Sequence, residues 1–173
     1  MHSEGERADV LPPATAIGRF ANAVSNAAAV LAGLCIVSIL LIVCAEVVLR
    51  QFKHSMLVTD EIAGYLNAAV VFLGLAYTLK SGGFIRVEVI YDALPPAFRT
   101  AVRWLFTVVA TIFVGIIVYY AVLHVQYSFE QDTRAVSVLD TPEWIPQSVM
   151  VIGLAVLFLQ LVAFLVERVR NVP

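Results

Sequence analysis

Apolar residues in this chain fall into four long blocks separated by short polar breaks. The blocks run roughly from Ala23 to Ala45, Ile62 to Leu79, Trp104 to Val125 and Ile145 to Val166. At about 1.5 Å per helical residue, each covers roughly 27 to 35 Å, enough to cross a hydrocarbon layer of about 30 Å. No alternation of apolar and polar residues marks β-barrel strands, and a helix satisfies its backbone groups within one segment. The pattern predicts an all-α integral membrane protein with four transmembrane helices, at about 23–49, 61–80, 99–126 and 145–167. Residues 1–16, polar and carrying Pro12-Pro13, are expected to form a flexible cytoplasmic tail ahead of one four-helix domain, 17–173.

The breaks between blocks are informative. Between the second and third, Gly82-Gly83 leads into Phe84-Ile-Arg-Val-Glu-Val-Ile-Tyr91 and then Pro95-Pro96. Ile85, Val87 and Val89 alternate with Arg86 and Glu88 as a strand would, yet a lone strand at a bilayer has no pairing partner. A short interfacial amphipathic segment over 84–94 is the favoured reading, with Arg86 reaching lipid phosphates. The prolines suit a helix start, where a missing N–H costs nothing. Arg99 and Arg103, one turn apart, are then placed at phosphate level.

Composition agrees with a membrane protein: 61% of the 173 residues are hydrophobic and only 14% charged. The first block is too long for a signal-peptide core and no Ala-x-Ala site follows it, so it is expected to stay as a span. Of the 11 basic residues, Arg7, Arg19, Lys80, Arg86, Arg99, Arg103, Arg168 and Arg170 fall on one side; Arg50, Lys53 and Arg134 fall on the other. The positive-inside rule then predicts both termini and the Gly-Gly elbow in the cytoplasm. The loop from Ser128 to Trp144 is predicted to face outward, with Glu130, Asp132, Asp140 and Glu143 against Arg134 alone. A net charge of −2 without a wide basic patch gives no sign of nucleic-acid binding.

Few residues suggest chemistry. Cys35 and Cys44 are both in the first span, about 13 Å apart along one helix, too far to bond each other. His2, His54 and His124 are too scattered for a haem pair, and no Cys/His/Asp/Glu group has metal-ligand spacing. There is no nucleophile elbow, P-loop or dinucleotide fingerprint, so neither enzymatic activity nor a bound cofactor is expected. Glu46 is the sharpest candidate, because carboxylates within spans are functional suspects. It lies near the outer end, however, and Arg50 four residues on favours an ion pair that closes the helix. Asp60 and Glu61 open the second span, where carboxylates suit the positive helix end, and Thr59 is placed to cap it.

Three stripes of small or weakly polar residues occur at helical spacing. Asn67, Gly74 and Thr78, with Val71 between, form one; Gly153, Gln160 and Glu167 form a second; Thr107, Thr111 and Gly115 form a third. Such stripes mark helix–helix packing in lipid more often than a substrate path.

Four phrases carry a family resemblance: Glu46-Val-Val-Leu-Arg50, Asp60-Glu61-Ile-Ala-Gly-Tyr65, Phe72-Leu-Gly-Leu-Ala-Tyr77 and, above all, Gly82-Gly-Phe-Ile-Arg-Val-Glu-Val89. Over residues 46 to 104 the chain resembles the small (Q-type) membrane subunit of tripartite ATP-independent periplasmic (TRAP) transporters. That family habitually writes the last phrase Gly-Gly-His-Ile-Arg-Val-Asp, followed by a Leu-Pro pair such as Leu94-Pro95; Trp144-Ile-Pro146 also fits. Phe84 stands where the histidine is usual, and the tryptophan often seen before the acidic pair is absent. A role needing an imidazole at position 84 therefore does not carry over.

The resemblance implies an accessory subunit of the bacterial inner membrane. It would brace a large transport subunit during sodium-driven uptake of an organic acid brought by a periplasmic binding protein, with sodium coupling in the partner. Glu46, Arg50, Asp60, Glu61, Asn67 and Gly74 are then candidates for the subunit interface. Gly82, Gly83, Arg86, Arg99 and Arg103 are candidates for anchoring to phospholipid. Glu130, Asp132, Asp140 and Glu143 are candidates for a transient contact with the binding protein. The competing readings are a stand-alone proton-coupled transporter using Glu46 and a membrane anchor of a respiratory complex. The first needs a carboxylate nearer mid-span; the second needs an intramembrane histidine pair.

Overall fold

A computed structural model describes residues 16–52, 54, 58–81, 96–137 and 139–170. Four helices follow one another: α1 (Ala16–Gln51), α2 (Thr59–Lys80), α3 (Pro96–Glu130) and α4 (Trp144–Arg170). Each contains a stretch long and apolar enough to span a membrane. Among the described residues the only ladder-type pairing is an isolated bridge, Arg134 with Pro142. The chain is therefore an all-α, multi-pass membrane protein, as the hydropathy pattern predicts.

The helices outrun the predicted spans at several ends. α1 starts at Ala16, seven positions before the predicted span, and α3 extends four positions past its predicted end. With 36 and 35 residues, α1 and α3 measure about 54 and 53 Å. Both exceed the hydrocarbon layer, so they tilt or project beyond it. Polar residues such as Arg19 and Glu130 sit in these extensions, where hydropathy falls but helix geometry continues. Pro96 opens α3 as expected, and Pro146 lies in the first turn of α4, where its lacking N–H leaves no intrahelical bond unmade. The interfacial segment predicted for 84–94, with Gly82, Gly83 and Arg86, lies outside the described residues.

α1, α2 and α4 pack against one another in a triangle, and α3 packs chiefly against α4. Small residues allow this. α1 contributes Gly18, Ala21, Ser25, Ala28 and Ala32, all buried and spaced alternately by three and four. Ala28 and Ala32 meet Ala69 and Leu73 of α2, with Val149 and Val156 of α4 beside them. A second cluster joins Leu79 of α2, Val114 of α3 and Leu161 of α4. Helices in lipid gain by close van der Waals approach rather than by leaving water, which favours such residues at contacts.

The outward faces are apolar. Leu34, Leu40 and Leu41 of α1 and Leu105, Phe106 and Phe113 of α3 are all more than half exposed. Surfaces of this kind require lipid or another membrane protein around them.

Candidate functional site

Among the described residues no group of three or more His, Cys, Asp or Glu side chains could hold a metal ion. What the fold builds is a polar cap at one end of the bundle, an internal polar tie toward the other, and one outward polar stripe.

The cap starts with Glu46. Its side chain is buried, and the residue is only 4% exposed although it sits close to the end of α1. Arg50 Nε donates to its Oε1 at 2.8 Å, the i,i+4 pair expected from sequence. Thr59 Oγ1 donates to its Oε2 at 3.1 Å. This corrects the reading of Thr59 as a helix cap. α2 begins at Thr59 itself, the cap position falls to Val58, and no side chain bonds there. Thr59 already lies inside the helix, and its hydroxyl donates to the buried carboxylate in a charge-assisted bond. Glu46 thus ties the end of α1 to the start of α2 across the short connection between them.

Asp60 and Glu61, adjacent in the first turn of α2, take different roles. Asp60 is exposed, while Glu61 turns inward toward the α3–α4 loop. Glu61 Oε1 accepts Tyr65 Oη at 2.7 Å, Ser137 Oγ at 2.8 Å and Thr141 Oγ1 at 3.2 Å. Three hydroxyls from two elements therefore converge on one carboxylate oxygen. The Tyr65 contact, not read from the sequence, has the i,i+4 spacing that could have signalled it. Ser137 and Thr141 have none, because loop hydroxyls carry no periodic signal.

The loop is folded tightly. Ala135 N–H donates to the Thr141 carbonyl at 3.0 Å and Glu143 N–H to the Thr133 carbonyl at 3.0 Å, narrowing it to a hairpin. Asp132 and Asp140 take φ of 45° and 48°, a left-handed conformation that Asp tolerates better than most side chains. Arg134 lies between their carboxylates, at 3.3 Å and 3.4 Å. Of the four acidic residues expected to face a partner, these two serve the loop's own fold; Glu130 is exposed and Glu143 half-buried. Val136 stands fully exposed at the tip.

Toward the other end, Gln160 of α4 is buried against α1. Ser25 Oγ donates to its Oε1 at 3.0 Å, and its Nε2 donates to Asn22 Oδ1 at 3.0 Å. Lys80 at the end of α2 adds a bond from Nζ to Asn26 Oδ1 at 2.8 Å. Gly153, two turns before Gln160, lies on the backbone of α2. A Cβ at this position would come within 2.5 Å of the Phe72 carbonyl carbon and oxygen. The Gly153/Gln160 stripe is therefore an internal packing seam; the side chain of Glu167 is outside the description.

The stripe on α3 is used in part. Thr111 Oγ1 returns to the Thr107 carbonyl at 2.7 Å, and Gly115 meets the ring edge of Phe158. Thr111, Gly115, Tyr119 and Phe158 help line an open groove of about 580 Å³ between α3 and α4.

The stripe on α2 points away from the bundle. Asn67, Val71 and Thr78 are exposed, and the space around Gly74 is open to 4 Å. Thr78 Oγ1 satisfies itself on the Gly74 carbonyl at 3.0 Å. Gly64, three residues before Asn67, is also exposed with open space around it. Arg99 and Arg103 lie in the first turns of α3, with their side chains outside the description.

The described residues form a multi-pass helical membrane bundle with an internal polar seam and an outward polar stripe. Comparison with known proteins makes this specific. Residues 39–171 match the family described as tripartite ATP-independent periplasmic transporters, DctQ component, and the chain belongs to that family. It is also 27% identical over 110 residues to the ectoine TRAP transporter small permease protein TeaB of Halomonas elongata. That match covers 61% of this chain and 56% of the relative.

Proposed function

We propose that this chain is the accessory small permease subunit of a TRAP-type transporter in a bacterial inner membrane. It packs against a large membrane subunit and braces it during sodium-driven uptake of an organic acid delivered by a periplasmic binding protein. Solute selection and sodium coupling reside in those partners; the relative named for ectoine is compatible with this division. Both termini face the cytoplasm, in keeping with the distribution of basic residues. Arg86, Arg99 and Arg103 hold the cytoplasmic side at the phospholipid headgroups, and the α3–α4 loop faces the binding protein.

The observation that carries this reading is the outward stripe of α2. An amide such as Asn67 is poorly suited to lipid tails, and Gly64 and Gly74 leave a shallow track along the helix. A neighbouring helix seated in that track would contact the backbone closely and give Asn67 a polar partner.

Gly74→Leu tests the assignment. The space there is open within this chain, so the bundle should fold normally and stay in the membrane. Co-purification with the co-expressed large subunit should fall severalfold, and uptake with it. Undiminished co-purification would reject α2 as the interface.

A further inference from the structure

The α3–α4 loop is held from below by a residue of a membrane helix. Glu61 belongs to the first turn of α2, yet Ser137 and Thr141, both in the loop, donate to its Oε1 at 2.8 and 3.2 Å. Tyr65, one turn deeper in α2, adds a third hydroxyl at 2.7 Å, and the Leu139 backbone also bonds this carboxylate. The two loop donors flank Asp140, and Val136 directly precedes the first of them, so fixing them holds this part of the turn. The two non-glycine residues with positive φ among those described, Asp132 and Asp140, both fall in this loop. Backbone held in sparsely populated conformations persists only where surrounding bonds over-determine it. Those bonds here are the Arg134 pairs and the hydroxyls on Glu61.

We infer that Glu61 is a positioning residue for the binding-protein contact: its carboxylate holds the 132–141 loop in the shape that meets the periplasmic binding protein, with Val136 as the apolar tip. This rests on the functional reading given above. The occupant is a soluble protein presenting an apolar depression for Val136 within a basic rim. Glu130 and Glu143 leave the loop negative after Arg134 has neutralised part of Asp132 and Asp140. A loop already fixed in its bound shape loses little conformational entropy on docking, so loosening it weakens docking without altering the contact residues themselves.

The test uses the complete transporter in proteoliposomes, with uptake measured against the concentration of its binding protein. Glu61→Gln keeps the shape and removes the charge that gathers the hydroxyls. Its half-saturating binding-protein concentration should rise roughly tenfold, equivalent to about 1.4 kcal/mol, while the maximal rate stays within about twofold. Ser137→Ala combined with Thr141→Val removes the loop's two hydroxyl donors, keeps the Leu139 backbone bond to Glu61 and leaves α2 untouched, so it should shift in the same direction even if Glu61→Gln folds poorly. Val136→Asp, on a fully exposed side chain, should raise the half-saturating concentration with no effect on assembly. An unmoved half-saturation in the double variant and in Val136→Asp overturns the inference. So does a fall in maximal rate with unchanged concentration dependence, because Glu61 would then act within the membrane assembly. Wild-type uptake that is independent of binding protein overturns the functional reading itself, and the inference with it.

Discussion

Two stripes of small and polar residues run down parallel helices of this protein, and their fates differ. On α4, Gly153 lies against the Phe72 backbone and Gln160 bonds Ser25 and Asn22. On α2, Asn67, Gly74 and Thr78 have the same kind of chemistry and spacing, yet they face outward. A small-residue stripe therefore states that a helix will come close; it does not state whose helix. The α4 stripe closes the chain on itself, and under the proposal above the α2 stripe closes a complex.

Substitutions should separate the two stripes by what they damage. The largest effect on the isolated bundle is expected from Gly153→Leu, since even the first added carbon would overlap the α2 backbone. Overpacking a tight contact typically costs about 1–3 kcal/mol, and backbone cannot step aside as a side chain can. Little folded protein should survive detergent extraction and size-exclusion chromatography; a normal monodisperse peak would show that α2 and α4 have room to move apart. Next comes Glu46→Ala, which strips Thr59 and Arg50 of their shared acceptor. A lost hydrogen bond to a buried charged group costs about 1.5–3 kcal/mol, discounted here because Arg50 is more than half exposed. Thermal unfolding in detergent should shift down measurably, and Glu46→Gln should recover part of the loss. Gln160→Leu follows, since polar contacts between membrane helices average only about 0.6 kcal/mol. A shift as large as that of Gly153→Leu would mean that the polar tie, and not close approach, holds the seam. Smallest for the bundle, and largest for the assembly, is Gly74→Leu. Equal damage to the bundle from Gly74→Leu and Gly153→Leu would erase the distinction between the stripes.

The helices were legible because hydropathy over 20 or so residues is a collective signal that single polar residues do not disturb. Helix ends were less so: Arg19 and Asn22 interrupt the apolar block, yet the helix runs through them from Ala16. The Glu46–Arg50 pair followed from one-turn spacing on one helix. Its third member did not, because Thr59 looks equally suited to capping α2 until the burial of Glu46 is known. The packing face of α1 was hidden by abundance. Gly18, Ala21, Ser25, Ala28 and Ala32 alternate by three and four, but Ala27 and Ala29 between them blur the period. The Glu61 hub was illegible for a different reason, since it joins residues 76 and 80 positions apart. Spacing on a helix constrains its own neighbours and says nothing about which loop folds back over it.

The central place of α4 has a consequence for how the protein is made. α1 and α2 emerge first and pair through Ala28, Ala32, Ala69 and Leu73, with Glu46 joined to Thr59. α3 emerges next, but its main neighbour has yet to be synthesised. During that interval Ala110, Val114 and Val118 lack their partners on α4, while Asn22 and Ser25 still await Gln160. Domains assemble as they leave the ribosome, and here the last helix is the one that touches all the others. A nascent chain interrupted before Trp144 would hold three inserted helices and no finished bundle, so quality control could recognise the unfinished product by its unmet polar groups alone.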